Sequence, residues 1–347
     1  MQNNRKDEHL QLAMKNFKKN STDFEQIRFL HTSLPEIDLG HTNISTSFLG
    51  MKFTRPFYIN AMTGGSEKSL EINRKLGEIA NQSGILIATG SASSAIRNDA
   101  LTPTFRAIRL ANPNGKIFVN ISAQATVQEA YKALNIAQAD GLQIHLNAPQ
   151  ELFMQEGDKN FSNWKSNIKA IVNEIHLPII VKEVGFGMSK ETIASLIDMG
   201  VKAVDISGRG GTNFLKIENQ RSLSSKAYLD NWGLSTVESL LESSSLQGEI
   251  NILASGGIQN GLDVVKALAL GAKSVGISAK LLYILQKKGV DGAVEWLMDL
   301  EKEVHLIFTM LGCRTIEELQ THATLLFDAP IITYAQQRQI DLNKYRH

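Results

Sequence analysis

Short apolar runs recur along the chain, each bounded by Gly, Pro, Asn or Ser, and they predict eight β-strands. Their starts lie roughly 25 to 50 residues apart, which leaves room for one crossover helix in each gap. The predicted strands are 56–61, 84–89, 116–121, 141–147, 178–184, 201–206, 250–255 and 273–277.

Helical patterns fill the gaps between these strands. Residues 190–199 carry apolar side chains at helical spacing behind Ser189, a suitable N-cap, and residues 262–270 do likewise before Gly271. Strands alternating with helices in this number predict an α/β TIM (β/α)8 barrel. The alternative is a doubly wound open sheet, which usually has fewer strands and carries a GxGxxG turn after its first strand. No such turn follows the first strand here.

The chain of 347 residues is predicted to form a single domain. Residues 1–55 precede the first strand as an N-terminal extension, 56–325 form the barrel, and 326–347 form a C-terminal tail. The segment 207–249, between the sixth and seventh strands, is longer than an ordinary connection. Long loops in compact domains are usually functional or disordered.

Charge and cysteine content exclude several classes of protein. Lys and Arg total 36 against 35 Asp and Glu, a net charge of +1. Dedicated nucleic-acid or membrane-surface binders need a large basic surplus, so neither partner is expected. The single cysteine, Cys313, permits no intramolecular disulfide. Since no secretory signal or run of 18 apolar residues is present, we expect a cytoplasmic protein without a membrane span.

Polar residues gather where the predicted strands end, which is where barrels of this type build their sites. In strand four, Gln143, His145 and Asn147 alternate with apolar residues and share one face, and Gln150 and Glu151 follow directly. A solvated strand of an antiparallel sheet shows the same alternation. In a barrel, the pattern predicts a polar mouth.

Strand five contains a lysine, Lys182, after the apolar run Ile179–Val181. A buried lysine is costly unless it meets an anion or a polar group. An ion pair with Glu183 or across strands is the structural interpretation, and a cation facing an electron-rich ligand is the functional one.

Glycine-rich or small-residue turns follow strands one, two, six, seven and eight. The stretches at 254–258 and 276–280 stand where barrels commonly bind phosphate through main-chain N–H groups. Together they favour a phosphate-bearing ligand. The charged N-terminal cluster 5–9 either is solvated or, if helical, presents Arg5 and His9 on one face towards the mouth.

These motifs resemble the FMN-dependent type 2 isopentenyl-diphosphate isomerases over nearly the whole chain. Any one motif is weak, but their order and spacing are specific to that family. The matching stretches are RKDEH (5–9), AMTGG (61–65), QIHLN with QE (143–151), EGD (156–158), KEVGFG (182–187), GRGGTNF (208–214), ASGG (254–257) and LGCRTIEEL (311–319).

The resemblance implies reversible isomerisation of isopentenyl diphosphate to dimethylallyl diphosphate in isoprenoid biosynthesis, on a TIM barrel. It implies reduced FMN as a proton-carrying cofactor, NADPH as reductant and Mg²⁺, with no net redox change. It also implies a homo-oligomer, either a tetramer or an octamer, that binds a small-molecule substrate.

The resemblance further assigns roles to residues at matching positions. The flavin ring would be surrounded by Met62, Thr63, Gly64, Ser91, Asn120, Lys182, Ser207 and Thr212, and its phosphate held by Gly256, Gly257, Ser278 and Ala279. Substrate contacts would come from Arg5, Lys6, His9, Ser93, His145, Asn147 and Gln150, with Glu151 ligating Mg²⁺. Gln150, Lys182 and His145 are the candidate catalytic residues. Ala92 departs from the pattern, since many relatives carry Gln there.

Two other functions remain open from the residues alone. Another FMN barrel, such as a hydroxy-acid oxidase, should carry an Arg/His pair near strand seven, and residues 252–261 contain neither. A dihydroorotate dehydrogenase with a Cys or Ser base is harder to exclude. A flavin- or phosphate-binding barrel without turnover would not need a metal carboxylate at Glu151.

Overall fold

Eight parallel strands close into a barrel in the computed structural model, which describes residues 2–16, 22–222 and 226–347, with side chains from Asp7 onward. The strands are β1 (Phe57–Ile59), β2 (Ile87–Ser91), β3 (Ile117–Ser122), β4 (Gly141–His145), β5 (Ile179–Lys182), β6 (Ala203–Asp205), β7 (Asn251–Ser255) and β8 (Ser274–Ile277). Each pairs in parallel with its sequence neighbours, and β8 returns to β1. The predicted TIM barrel is confirmed.

Helices surround the barrel, and further helices lie in the segments before β1 and after β8. They are α1 (Gln2–Lys15), α2 (Glu67–Ser83), α3 (Ser93–Arg97), α4 (Thr102–Ala111), α5 (Val127–Ala137), α6 (Ala148–Phe153), α7 (Trp164–Glu174), α8 (Lys190–Asp198), α9 (Phe214–Arg221), α10 (Thr236–Glu242), α11 (Gly261–Ala269), α12 (Ala279–Met310), α13 (Ile316–His322) and α14 (Ala329–Gln337). Short 3-10 helices cover Asp23–Gln26, Leu39–His41, Asp99–Leu101, Ala227–Leu229, Ser243–Ser245 and Leu342–Tyr345. α12 is broken at Gly289, whose φ of 73° is not helical. Among the described residues, no helix has the length and apolar character needed to cross a bilayer.

The interior of the barrel has an apolar lower layer and a polar upper layer. Phe48, from the hairpin formed by Thr46–Phe48 and Met51–Phe53, packs with Tyr58 and Phe118 and closes the lower end. The strand register places His145 beside Lys182 and Lys182 beside Asp205, nearer the carboxyl ends. The strand sequences therefore present their polar side chains to the mouth.

The predicted elements need small corrections of extent. Strand four ends at His145, so Asn147 lies beyond it as the N-cap of α6, and the alternation that grouped it with the strand was wrong there. Ser189 caps α8 as predicted, through its side chain and the main-chain N–H of Thr192.

The two ends of the chain meet in a small sheet outside the barrel. Ile27–Phe29 pairs antiparallel with Leu325–Phe327. The boundary predicted between barrel and tail, at 325/326, falls inside this strand. The extension and the tail are therefore joined by hydrogen bonds.

The tail is also fastened by the buried carboxylate of Glu242 in α10. Arg338 donates to it from Nε at 2.7 Å and from Nη2 at 3.0 Å, and Tyr334 donates at 2.8 Å. Glu242 is only 2% exposed. Losing its charged partner would leave a buried carboxylate with neutral donors alone.

We expect Arg338→Ala to lower the free energy of unfolding, because the buried Glu242 carboxylate loses the charged donor that contacts both of its oxygens. Urea denaturation followed by circular dichroism measures this as a lower midpoint. Arg346→Ala is the control, because the side chain of Arg346 makes a long, exposed contact with Asn343 at 3.4 Å. Equal midpoints for the two variants would contradict the role of the Glu242 contact.

Candidate functional site

One cavity of about 660 Å³ opens at the carboxyl ends of the strands. Every residue predicted to bind flavin, substrate or metal lines it, wherever the structure describes the side chain. Arg5 and Lys6 lie in α1, but their side chains fall outside the described part of the chain. The structure thus brings the described candidates together, and their roles stay predictions.

The helix α1 borders this cavity. Asp7 accepts a hydrogen bond from Ser66 at the start of α2, at 2.7 Å. His9 Nε2 lies 2.7 Å from a carboxylate oxygen of Glu218 in α9. Both residues hold α1 against the start of α2 and against α9, and His9 lines the cavity.

The loop after β1 touches the end of β2 through main-chain atoms. A Cβ at Gly90 would lie 2.5 Å from the main chain of Thr63, and one at Gly64 would lie 2.4 Å from the Phe105 ring. Glycine is therefore required for this close approach. Because neither glycine projects a side chain, the surface beside Met62 leaves space for a flat ring.

Glycines after β6 and β7 form a second close contact. Gly256 has a φ of 101°, and a Cβ there would lie 2.1 Å from the carbonyl oxygen of Gly208. The next strand, β8, leads through Ser278 into α12, which begins at Ala279. Left-handed glycines beside a helix N-terminus expose main-chain N–H groups, an arrangement that suits a phosphate.

Lys182 is 4% exposed at the end of β5. Burial lowers the pKa of its ammonium group, and Asp205 and Glu183 partly offset this. Its Nζ donates to the main-chain oxygen of Glu183 at 2.5 Å. The Glu183 carboxylate instead accepts from the N–H groups of Val184 and Phe186, and burial raises its pKa to about 7. Lys182 thus places a buried amino group with a lowered pKa beside the cavity.

A polar layer beneath the cavity was not predicted from the sequence. Asp205, which is 0% exposed, accepts from Tyr58 at 2.8 Å, from Asn60 at 2.7 Å and from Ser255 at 2.8 Å. Burial and Asp205 raise the pKa of Tyr58 well above its ordinary value. The available signal was a carboxylate inside the apolar strand VDI at 204–206, the same signal that identified Lys182.

Gln150 is held by two side chains at the start of α6 and in α9. Its Nε2 donates to Glu218 at 3.0 Å, and its Oε1 accepts from Asn147 at 2.6 Å. The amide therefore has one fixed orientation. Glu218 was also missed from the sequence, because nothing in its local pattern separates it from a solvated helix residue.

The Glu218 carboxylate is 3% exposed and collects several donors. Burial alone raises its pKa, but hydrogen bonds from His9, Gln150 and Arg221 outweigh it and keep the pKa below its ordinary value. Arg221 Nη1 approaches it to 2.6 Å. A charged carboxylate thus lies directly behind the Gln150 amide.

Glu151 follows Gln150 on α6 and accepts from the main-chain N–H of Asp158 at 2.9 Å. The nearby Asn147 Oδ1 is buried and has no hydrogen-bond partner within the residues that the structure describes. Across the same residues, no group of three or more His, Cys, Asp or Glu could hold a metal ion. A divalent ion here would need oxygens from a ligand and water.

Solved structures of a flavocytochrome b2 and of a mandelate oxidase share this fold. A flavocytochrome b2 mutant with benzoylformate matches with a TM-score of 0.69 and 22% identity, over 91% of this chain and 78% of that one. A mandelate oxidase mutant with the monooxide FMN adduct matches with a TM-score of 0.62 and 15% identity, over 92% of each chain. At such identities the likeness shows the fold alone.

Proteins with similar sequences identify the family to which the chain belongs. The family model for FMN-dependent dehydrogenase matches residues 106–325. The isopentenyl-diphosphate delta-isomerase of Staphylococcus haemolyticus is 45% identical over 98% of this chain and 97% of its own length. The Staphylococcus aureus protein of that name is 42% identical with the same coverage. With this identity over nearly the whole chain, the protein belongs to the FMN-dependent, type 2 isopentenyl-diphosphate delta-isomerase family.

Proposed function

We propose that this protein interconverts isopentenyl diphosphate and dimethylallyl diphosphate with reduced FMN and Mg²⁺, using NADPH as reductant and acting as a homo-oligomer. The observation that carries the proposal is the fixed Gln150 amide beside Glu151, in a cavity that also contains Lys182. A flavin, a metal-bound diphosphate and an alkene would each meet suitable side chains there.

The reaction moves a double bond without net oxidation. One proton adds to the terminal alkene carbon, and another leaves the allylic methylene carbon, which becomes one end of the new double bond. Reduced FMN, when bound, supplies a group that can give and take a proton. Gln150, whose amide is held by Glu218 and Asn147, would position the hydrocarbon part of the substrate and assist the proton transfer.

The flavin side of the cavity fits the cofactor by two observations. The Gly256 and Gly257 main chain with the start of α12 leaves no room for side chains, which suits the FMN phosphate. Lys182 is buried with a lowered pKa, so an anionic ring beside it would favour its charged form. Ser91, Asn120, Ser207 and Thr212 would complete the polar contacts to the ring.

The diphosphate side fits Mg²⁺ in part. Glu151 offers a carboxylate, and Asn147 Oδ1, which lacks a hydrogen-bond partner among the described residues, could accept from a metal-bound water. His145, Ser93 and His9 line the same region, and Arg5 and Lys6 would add positive charge from α1. We infer that Mg²⁺ binds mainly together with the diphosphate.

Product analysis tests the proposed reaction. Isopentenyl diphosphate incubated anaerobically with the protein, FMN, Mg²⁺ and NADPH should yield dimethylallyl diphosphate, and an oxidised-flavin sample should not. Gln150→Ala should lower turnover on the order of 100-fold, as for loss of a group that assists proton transfer. Gln337→Ala, at an exposed position, should not. No product with reduced FMN bound would reject the isomerase.

A second experiment addresses the metal. Glu151→Gln should weaken Mg²⁺-dependent pyrophosphate binding on the order of 100-fold, because a hard cation loses its carboxylate ligand. Calorimetry with and without Mg²⁺ measures it, and FMN binding should be unchanged. The exposed Glu249→Gln is the matched control. A variant that binds pyrophosphate with the metal dependence of the wild type would contradict the role of Glu151.

A third experiment addresses Gly256 and Gly257, whose main chain would hold the FMN phosphate. Gly256→Ala forces a left-handed alanine against the Gly208 carbonyl, and such strain costs about 1–3 kcal/mol. If FMN requires this conformation, its affinity should fall about 10- to 100-fold in a fluorescence titration. Gly248→Ala is the control, since a Cβ there meets nothing within 4 Å. Equal FMN affinity in both variants would place the phosphate elsewhere.

A further inference from the structure

An unbroken row of side-chain hydrogen bonds crosses the barrel beneath the cavity. His145 Nδ1 lies 2.7 Å from Asn120 Oδ1, and Asn120 Nδ2 donates to Gln143 Oε1 at 3.0 Å. Gln143 Nε2 donates to Asn60 Oδ1 at 3.1 Å, and Asn60 Nδ2 donates to Asp205 Oδ2 at 2.7 Å. We call these five residues the amide relay.

The direction of the relay is determined at its Asp205 end. A carboxylate only accepts, so the Asn60 amide must turn its NH₂ group towards Asp205. Its oxygen then faces Gln143, and it also accepts from the main-chain N–H of Ala61 at 2.8 Å. Each amide sets the next one, until Asn120 presents an oxygen to His145.

We propose that the amide relay fixes the neutral His145 ring as the Nδ1–H tautomer, with Asp205, Asn60, Gln143 and Asn120 as positioning residues. The other tautomer would bring the Nδ1 lone pair against the Asn120 oxygen. Turning Asn120 over would set its oxygen against that of Gln143, and the conflict would pass on to Asn60 and Asp205.

Burial makes this conflict costly. Asn60, Gln143, Asn120 and Asp205 are 2%, 0%, 3% and 0% exposed, so little of their polar surface is open to water that could replace a lost partner. Aligned amide dipoles in a low-dielectric interior also strengthen one another. The relay therefore acts as one unit, and its effect reaches His145 from across the barrel.

The consequence for chemistry rests on the proposed function. In the Nδ1–H tautomer the lone pair of the neutral ring is at Nε2. His145, which lines the cavity, would then meet a substrate group as a proton acceptor at Nε2. It would donate to a diphosphate oxygen only as the imidazolium.

NMR of the FMN-loaded protein labelled with ¹⁵N-histidine tests the tautomer directly. The chain has eight histidines, and the His145 signals are identified by their loss in His145→Gln. At a pH where the ring is neutral, the wild type should show a protonated Nδ1 and an unprotonated Nε2. An Nε2–H ring in the wild type would overturn the proposal without any variant.

Two substitutions at Gln143 then test the relay itself. Gln143→Met keeps the volume but removes the acceptor for Asn120, so Nε2–H, the form that free imidazole side chains prefer, should appear. Gln143→Glu is the matched control, because burial favours the neutral acid, which can accept from Asn120 and donate to Asn60. Its ring should stay Nδ1–H.

Persistent Nδ1–H in a folded, FMN-binding Gln143→Met protein would overturn the relay. The spectra need no turnover, so they are independent of the reaction. A wild type with the expected tautomer but no dimethylallyl diphosphate product would retain the relay and reject the proposed function.

Discussion

Closure of the barrel obliges every inward-facing polar side chain to find a partner inside the protein. The lower interior avoids this demand because it is lined mainly by apolar side chains. Phe48 from the extension closes it. The upper interior meets the demand around Asp205, whose carboxylate accepts from Tyr58, Asn60, Ser255 and the main-chain N–H of Ser207. Because an unpaired buried charge is costly, these donors cannot rotate independently. The floor of the cavity is therefore rigid before any ligand binds.

This rigid floor lets the barrel keep groups that would be unfavourable elsewhere. Lys182 remains buried because Asp205 and Glu183 lie close to it, although burial still lowers its pKa. Gln150 has one orientation because Glu218 and Asn147 occupy both ends of its amide. The groups around the cavity differ in how they are held. Those on strands depend on the barrel, whereas Gln150 depends on contacts among the loops and α1.

The sequence predicted the features whose cause is local. Eight apolar runs predicted the strands, and the glycines at 256–257 predicted a place for a phosphate. Contacts between distant segments were not predicted. Glu218 lies 68 positions from Gln150, and nothing in either segment indicates the pairing. The strand Leu325–Phe327 pairs with Ile27–Phe29 from the opposite end of the chain. Asp205 stands between Val204 and Ile206, so a signal was available for it, but its partners Tyr58, Asn60 and Ser255 come from other segments of the chain.

The loops, rather than the barrel, distinguish one protein of this fold from another. The solved structures share the barrel at 15–22% identity, and a shared fold does not by itself determine a reaction. In this chain, the short turn after β4 leads at once into α6, which carries Asn147, Gln150 and Glu151 on little more than one helical turn. That places an amide and a carboxylate on one side of the cavity and Lys182 on the neighbouring strand. Under the proposed function, a proton-transfer site and a metal-diphosphate site would share one opening, provided that α1 and α9 keep Glu218 against Gln150.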